Sequence, residues 1–187
     1  MTIYFSSDPH YSHKNIIKYC NRAFSSVEEM DAEMIRRHNS VVSPTDEWYC
    51  LGDFAFVKTQ QQVEDLLAQL NGRKHLIVGN HDPEHTLKAK GWDSVHDILE
   101  LKVPELKLPV VLCHYAMVVW NRSFHGSYHF FGHSHGMLKV NSKHSVDVGV
   151  DCWDFYPVSV KQIMDREWAA FGLAVSESGV VERLSSS

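Results

Sequence analysis

Short apolar runs alternate with amphipathic ones along the chain. The runs at residues 3–5 (IYF), 48–51 (WYCL), 75–78 (HLIV), 110–113 (VVLC), 129–131 (HFF) and 146–150 (VDVGV) are dense in β-branched and aromatic residues, which predicts short, largely buried strands. Helices are predicted between some of them. Ser26 with Glu29 makes a capping-box pattern ahead of Val27, Met30, Met34 and Ile35. Thr59 with Gln62 repeats it ahead of Val63, Leu66, Leu67 and Leu70, and Asn71-Gly72 supplies the stop. Ser159 with Gln162 opens a third helix, with Val160, Ile163, Met164 and Trp168 on one face. Alternation of strand and helix predicts a layered α/β domain. The strand-rich stretch from 94 to 150 adds a mixed sheet or two packed sheets.

The polar residues at the ends of these apolar runs change the picture. After residues 3–5 come Asp8 and His10; after 48–51, Asp53; after 75–78, Asn80, His81 and Asp82; after 110–113, His114; after 129–131, His133 and His135. Five strands in succession deliver Asp, Asn or His just past their carboxyl ends, the edge at which open α/β sheets build ligand sites. Each such residue alone is an ordinary turn or cap; the ordered set is not. His133 and His135 stand two apart, so in extended backbone both imidazoles project to one side. Such a pair can hold metal, share a proton or cap a strand.

Composition sets bounds. At 187 residues one domain spanning 1–187 is expected, burying about 70% of its unfolded surface. A charged fraction of 22% and a hydrophobic fraction of 44% are those of an ordinary globular protein. The net charge of −5 argues against a broad basic nucleic-acid face, although bound metal would add local positive charge. Histidine is abundant, thirteen against eighteen Lys plus Arg. Cys20, Cys50, Cys113 and Cys152 show no metal-type spacing and read as reduced thiols, which with the lack of a signal peptide or membrane span points to the cytoplasm.

The ordered pattern D-x-H, G-D, G-N-H-[DE], H and G-H-x-H resembles the calcineurin-like metallophosphoesterases. It stands here as Asp8/His10, Gly52-Asp53, Gly79-Asn80-His81-Asp82, His114 and Gly132-His133-Ser134-His135. The stretch SDPHYSHKNIIKYCNRAF followed by LGDFAF is similar to a small bacterial and phage subgroup of that family. The resemblance implies an α/β (α+β layered) four-layer sandwich, two mixed β-sheets flanked by helices. It also implies two divalent ions, one held by Asp8, His10, Asp53 and His135, the other by Asp53, Asn80, His114 and His133. A mixed oxygen and imidazole set suits Mn²⁺, Fe or Zn²⁺ better than Mg²⁺ or Ca²⁺ without choosing among the three, and Mn²⁺ is the expected ion. Two such ions can neutralise phosphate oxygens and deprotonate a bridging water near neutral pH.

His81 resembles the family's histidine that serves the leaving oxygen as proton donor or charge stabiliser. One departure matters. Phosphoprotein phosphatases of the family read G-D-x-x-D-R-G, whereas Gly52-Asp53-Phe54-Ala55-Phe56-Val57 has neither the second acid nor the Arg. The expectation is therefore a metal-dependent phosphodiesterase acting on a nucleotide or other small phosphodiester by attack of a metal-bridging hydroxide. A phosphomonoesterase, a nuclease on nucleic-acid ends and a non-catalytic metal-binding scaffold are the alternatives. His13 and Asn15, at the start of a predicted helix, and Arg22 are candidate substrate contacts, set against a solvated first turn. Tyr115, Trp120, Arg122, His125 and His129 could wall the pocket or merely cover the sheet. Asp147, Asp151, Trp153 and Tyr156 read as structural. His38, His75, His85, His96 and His144 are expected at surfaces or strand ends.

Overall fold

The computed structural model describes residues 1–139, 142–170, 173–175 and 181–183. The elements in chain order are β1 (Ile3–Ser6), α1 (Ile16–Tyr19), α2 (Val27–Val41), β2 (Glu47–Cys50), α3 (Gln60–Leu67), β3 (Arg73–Ile77), α4 (Glu84–Leu87), β4 (Trp92–His96), β5 (Ile98–Leu101), β6 (Val110–Cys113), β7 (His129–Phe131), β8 (Ser145–Asp147), β9 (Val158–Ser159), α5 (Val160–Ala170), β10 (Leu173–Val175) and β11 (Val181–Arg183). The side chain of Trp168 and the terminal serines lie outside the described residues.

Two mixed sheets flanked by helices make an α+β layered fold. The first has the order β4-β3-β2-β1-β9, parallel except for β9; the second has β5-β6-β7-β8, with β5 antiparallel and the others parallel. A separate pair joins β10 to β11. The period-two rule assigns the faces. Trp48, Cys50 and Leu76 pack outward against Met30 and Met34 of α2 and Val63 and Leu67 of α3. Tyr49, Leu51 and Ile77 point the other way, into the second sheet's Val110, Leu112, Phe130 and Val146. Each fully buried side chain of this size contributes about 1.5–3 kcal/mol.

Both predicted α2 and α3 starts are built as capping arrangements. Ser26 accepts the Glu29 amide, while the Glu29 carboxylate reaches back to the Ser25 amide and hydroxyl. Thr59 and Gln62 form the reciprocal box. α3 ends at Leu67, sooner than the Asn71-Gly72 stop. Strands β4 and β5 carry no apolar run of their own; the chain leaves the first sheet at His96 and enters the second at Ile98. Two histidines expected at surfaces or strand ends belong instead to the interior. His38 sits edge-on to Trp48 with 4.7 Å between ring centroids, its Nε2 3.0 Å from the Asn71 carbonyl. His75 stacks on Tyr49 and bonds Ser94 at 2.8 Å. Among the described residues no helix is long and apolar enough to cross a membrane.

Candidate metal centre

Strands β1, β2, β3, β6 and β7 run parallel to their neighbours in pairs, so their carboxyl ends gather at one edge. There the loops interlock. Asp8 N donates to the Gly52 carbonyl, His10 N to that of Asp53, and Gly132 N to that of His114. Such close approach needs glycine. A Cβ at Gly52, whose φ is +96°, would come within 2.6 Å of Gly79 Cα, and one at Gly132 would run into Ser7 Oγ and Asp8 Oδ2. Asp8, His10, Asp53, His133 and His135 all hold φ between 46° and 64°, a left-handed conformation costly for non-glycine residues.

The predicted ligands fall into two groups within reach of a cation each: Asp8, His10 and His135, and Asp53, His114 and His133. Asp53 faces both. Its Oδ2 is 3.5 Å from His10 Nε2, and its Oδ1 is 3.7 Å from His114 Nε2. Asp8 Oδ2 is fixed by the His133 amide at 2.8 Å, while Asp8 Oδ1 stands 3.9 Å from both His10 Nε2 and His135 Nε2. Asp8 Oδ1 and His10 Nε2 are buried without a hydrogen-bond partner. An orphaned carboxylate oxygen facing an orphaned imidazole nitrogen is expensive in a protein interior unless something joins them. Burial pushes the Asp8 carboxyl up to about 6 and the His10 imidazole down to about 2; a divalent cation between them would bring the carboxyl back down and suit the His10 ring, which burial already keeps neutral as a ligand must be. The donor set thus fits the expected ion.

The second group is more open. His114 is buried, with Nδ1 2.7 Å from the Leu51 carbonyl, to which it can donate; this orients the ring with Nε2 toward Asp53. Asn80 Oδ1 lies 3.0 Å from that nitrogen. His133 and Asn80 are exposed and complete the open side. The Tyr115 ring lies 4.8 Å from that of His133.

A cleft of about 460 Å³ opens over these residues, lined by His10, Asp53, His133 and His135 and walled by His13, Tyr19, Phe56, His81 and Met137. His81 projects at its rim, its backbone N–H donating to Asp53 Oδ1 at 2.8 Å and its ring 5.0 Å from Phe56. Phe56 also stacks on His13 at 3.7 Å, so the residue standing where the phosphatase motif has its second acid forms an aromatic wall.

The three expected substrate contacts divide. His13 does line the cleft, but its Nδ1 lies 3.3 Å from His10 Nδ1, which makes it a neighbour of the ligand as much as of any substrate. Asn15 precedes the four-residue α1 without a side-chain cap, exposed and outside the cleft lining; so short a helix has little dipole to offer an anion. Arg22 is corrected outright. Its side chain is fully buried, donating to Asp151 and to the carbonyls of Asp8 and Pro9, so no guanidinium is left for phosphate. Trp120 and His129 turn inward, Trp120 Nε1 to the Ser127 carbonyl and His129 against Phe131, and cover the second sheet.

Asp151, expected to be structural, belongs to the site's surroundings: its Oδ2 lies 2.7 Å from His135 Nδ1. The sequence carries a signal for this, since Asp151 also stands just past an apolar run, the one at 146–150. Cys20 groups with His135 and Asp151. Burial and the Asp151 charge push its thiol up to about 11, and Arg22 and His135 already occupy Asp151, so this group is the back wall of the first pocket.

No family model matches the chain. An uncharacterized protein of Methanocaldococcus jannaschii is 49% identical over 81 residues, 43% of this chain and 46% of that protein, so the match spans about half of the archaeal relative. The gene 66 protein of Mycobacterium phage L5 is 28% identical across 80% of this chain and 86% of its own. That of phage D29 is 25% identical across 83% and 92%. Among solved structures, a protein of unknown function from Aquifex aeolicus superposes with a TM-score of 0.67 at 21% identity, covering 87% of this chain and 97% of that one. This likeness carries the fold.

Proposed function

We propose that the chain is a dinuclear metal-dependent phosphoesterase of the calcineurin-like kind, a phosphodiesterase acting on a nucleotide or other small phosphodiester. The observation that carries the reading is Asp53, whose two carboxylate oxygens face two separate histidine groups, beside the buried, unpartnered Asp8 Oδ1 and His10 Nε2. Asp8, His10, Asp53 and His135 would hold one ion, and Asp53, Asn80, His114 and His133 the other. Bound ions of this type, Mn²⁺ foremost, supply positive charge for phosphate oxygens and lower the pKa of water.

The chain's own residues do the rest. His81 at the cleft rim donates a proton to the departing ester oxygen. Phe56, His13 and Tyr19 wall one side of the cleft. Among the described residues no Lys or Arg lines this cleft, and Lys58 lines only the adjoining pocket beyond Phe56 and His81; so few fixed cations suit a singly charged diester better than a doubly charged monoester. The acidic balance disfavours long nucleic acid as a substrate. Four cysteines without disulfides fit a reducing, cytoplasmic setting.

The test is to strip the protein of metal, restore Mn²⁺, and compare a bis-aryl phosphate diester with the aryl monoester. Faster, Mn²⁺-dependent diester turnover is expected. Faster monoester turnover would make the protein a phosphatase, and turnover of neither would sink the general diesterase reading.

A further inference from the structure

We propose that Arg22 and Asp151 are positioning residues for the buried ion pocket, acting in series to fix His135 against the turn that carries Asp8 and His10. This role rests on the metal-centre reading and belongs to two residues outside the ligand motifs.

The Arg22 guanidinium spans four oxygen acceptors, besides the Met30 sulfur at 3.5 Å. Nε and Nη2 each donate to an Asp151 oxygen at 2.8 Å, Nη2 also to the Asp8 carbonyl at 2.8 Å, and Nη1 to the Pro9 carbonyl at 2.9 Å. Asp151 Oδ2 is 2.7 Å from His135 Nδ1. One connected path therefore runs from the backbone of the first motif to the imidazole of the last, two segments far apart in the chain.

The chemistry of each link is specific. A carboxylate beside Nδ1 takes the ring proton's hydrogen bond, which leaves the Nε2 lone pair aimed at Asp8 Oδ1, 3.9 Å away. A planar guanidinium can bind a carboxylate with two parallel bonds and still reach two carbonyls, which an ammonium cannot. Asp8, His10 and His135 hold φ of 56°, 53° and 46°, a conformation that persists only where surrounding bonds impose it. The open pocket has its own fixing bond, from His114 Nδ1 to Leu51, and meets the fixed turn only through the His133 amide on Asp8 Oδ2 and through the shared Asp53. Loss of Arg22 or Asp151 should therefore weaken one ion far more than the other.

Mn²⁺ is titrated by calorimetry into metal-free wild type, Asp151→Asn, Arg22→Met, the double variant and Asp8→Asn, with thermal unfolding measured alongside. Wild type should take up two ions. Asp151→Asn and Arg22→Met should each weaken one binding step on the order of 10–100-fold, the same step that Asp8→Asn abolishes. The double variant should be no weaker than the worse single one, because links in series are not additive. Equal weakening of both steps, additive losses, or two unchanged steps with lower thermal stability would overturn the proposal. Should Arg22→Met fail to fold, the isosteric Asp151→Asn decides alone. Wild type that binds no ion would overturn the metal-centre reading and this inference together, whereas two-ion binding unaltered in Asp151→Asn overturns only the inference.

Discussion

Asp82 holds Asp53 in place through the backbone: its carboxylate accepts the Asp53 N–H at 2.8 Å, and with it those of Phe54 and Gly79 at 2.9 and 2.8 Å. The last residue of G-N-H-D is therefore the clasp of the G-D turn. Replacing Asp82 by Ala strands three buried donors, each worth about 1–3 kcal/mol unpaired. We expect Asp82→Ala to lower unfolding free energy in denaturant by about 3 kcal/mol or more in the metal-free protein. Asp82→Asn should lose less, because its one remaining oxygen can still accept from Asp53 and Gly79 while only the Phe54 N–H faces the amide hydrogens. A loss under about 0.5 kcal/mol, the range of an ordinary surface substitution, would show that the turn is held by the strands alone.

Asp53 itself is the shared wall of both candidate ion sites, with one oxygen toward His10 and one toward His114. Asp53→Asn keeps the shape, removes the negative charge and turns an N–H₂ toward one histidine. Bound Mn²⁺ per chain should fall for both ions, and diester hydrolysis should fall by more than the roughly 10–100-fold typical of changes outside the ligand shell. Two-ion occupancy with normal turnover would refute the bridging assignment.

The candidate ligands are legible in the sequence because each stands just past a short apolar run, and the run's length and alternation fix where the strand must end. Asp82 and Arg22 are not legible as supports, and the apolar run before Asp151 places it near the site without naming its partners. Asp82 bonds a residue 29 positions away, and Arg22 reaches partners 14 and 129 positions away, so only the interlocked loops bring them together. The strands β4 and β5 are hard to read because WDSVH and ILEL mix polar with apolar positions at one edge of each sheet, where burial is partial. His38 has a visible signal. It falls on the buried stripe of α2 that Met30 and Met34 mark out at helical spacing.

That burial gives His38 a measurable pH signature. Burial is the main cause that lowers its imidazole to about 4, with the Asn71 carbonyl pulling weakly the other way. The unfolded chain, titrating near 6.5, binds the proton that the folded chain refuses between about pH 6.5 and 4. Stability from this residue is thus present above about pH 6.5 and lost as pH falls through the window, by about 2 kcal/mol between pH 7 and 5 at 1.36 kcal/mol per unit. His38→Gln should flatten the acid limb of the unfolding curve by that amount relative to wild type. Parallel acid limbs in the two proteins would mean that His38 accepts its proton while folded.

His81 separates chemistry from metal binding. Its side chain touches Phe56 and His10 only through ring packing, while its backbone, not its imidazole, bonds Asp53. His81→Ala preserves that backbone bond, so both ions should bind as in wild type. Hydrolysis should slow by on the order of 10²–10⁴-fold if the ring protonates the leaving oxygen. The deficit should grow with the basicity of the leaving group: small for an aryl ester whose phenolate departs unaided, large for an alkyl ester that must leave as the alcohol. A deficit of the same size across both would point to phosphate binding in place of proton donation. Loss of an ion on His81→Ala would place the imidazole among the ligands or their supports. Phe56→Ala offers the complementary check, since it removes the wall against which His81 and His13 are packed but no proton donor: it should slow aryl and alkyl esters by the same factor.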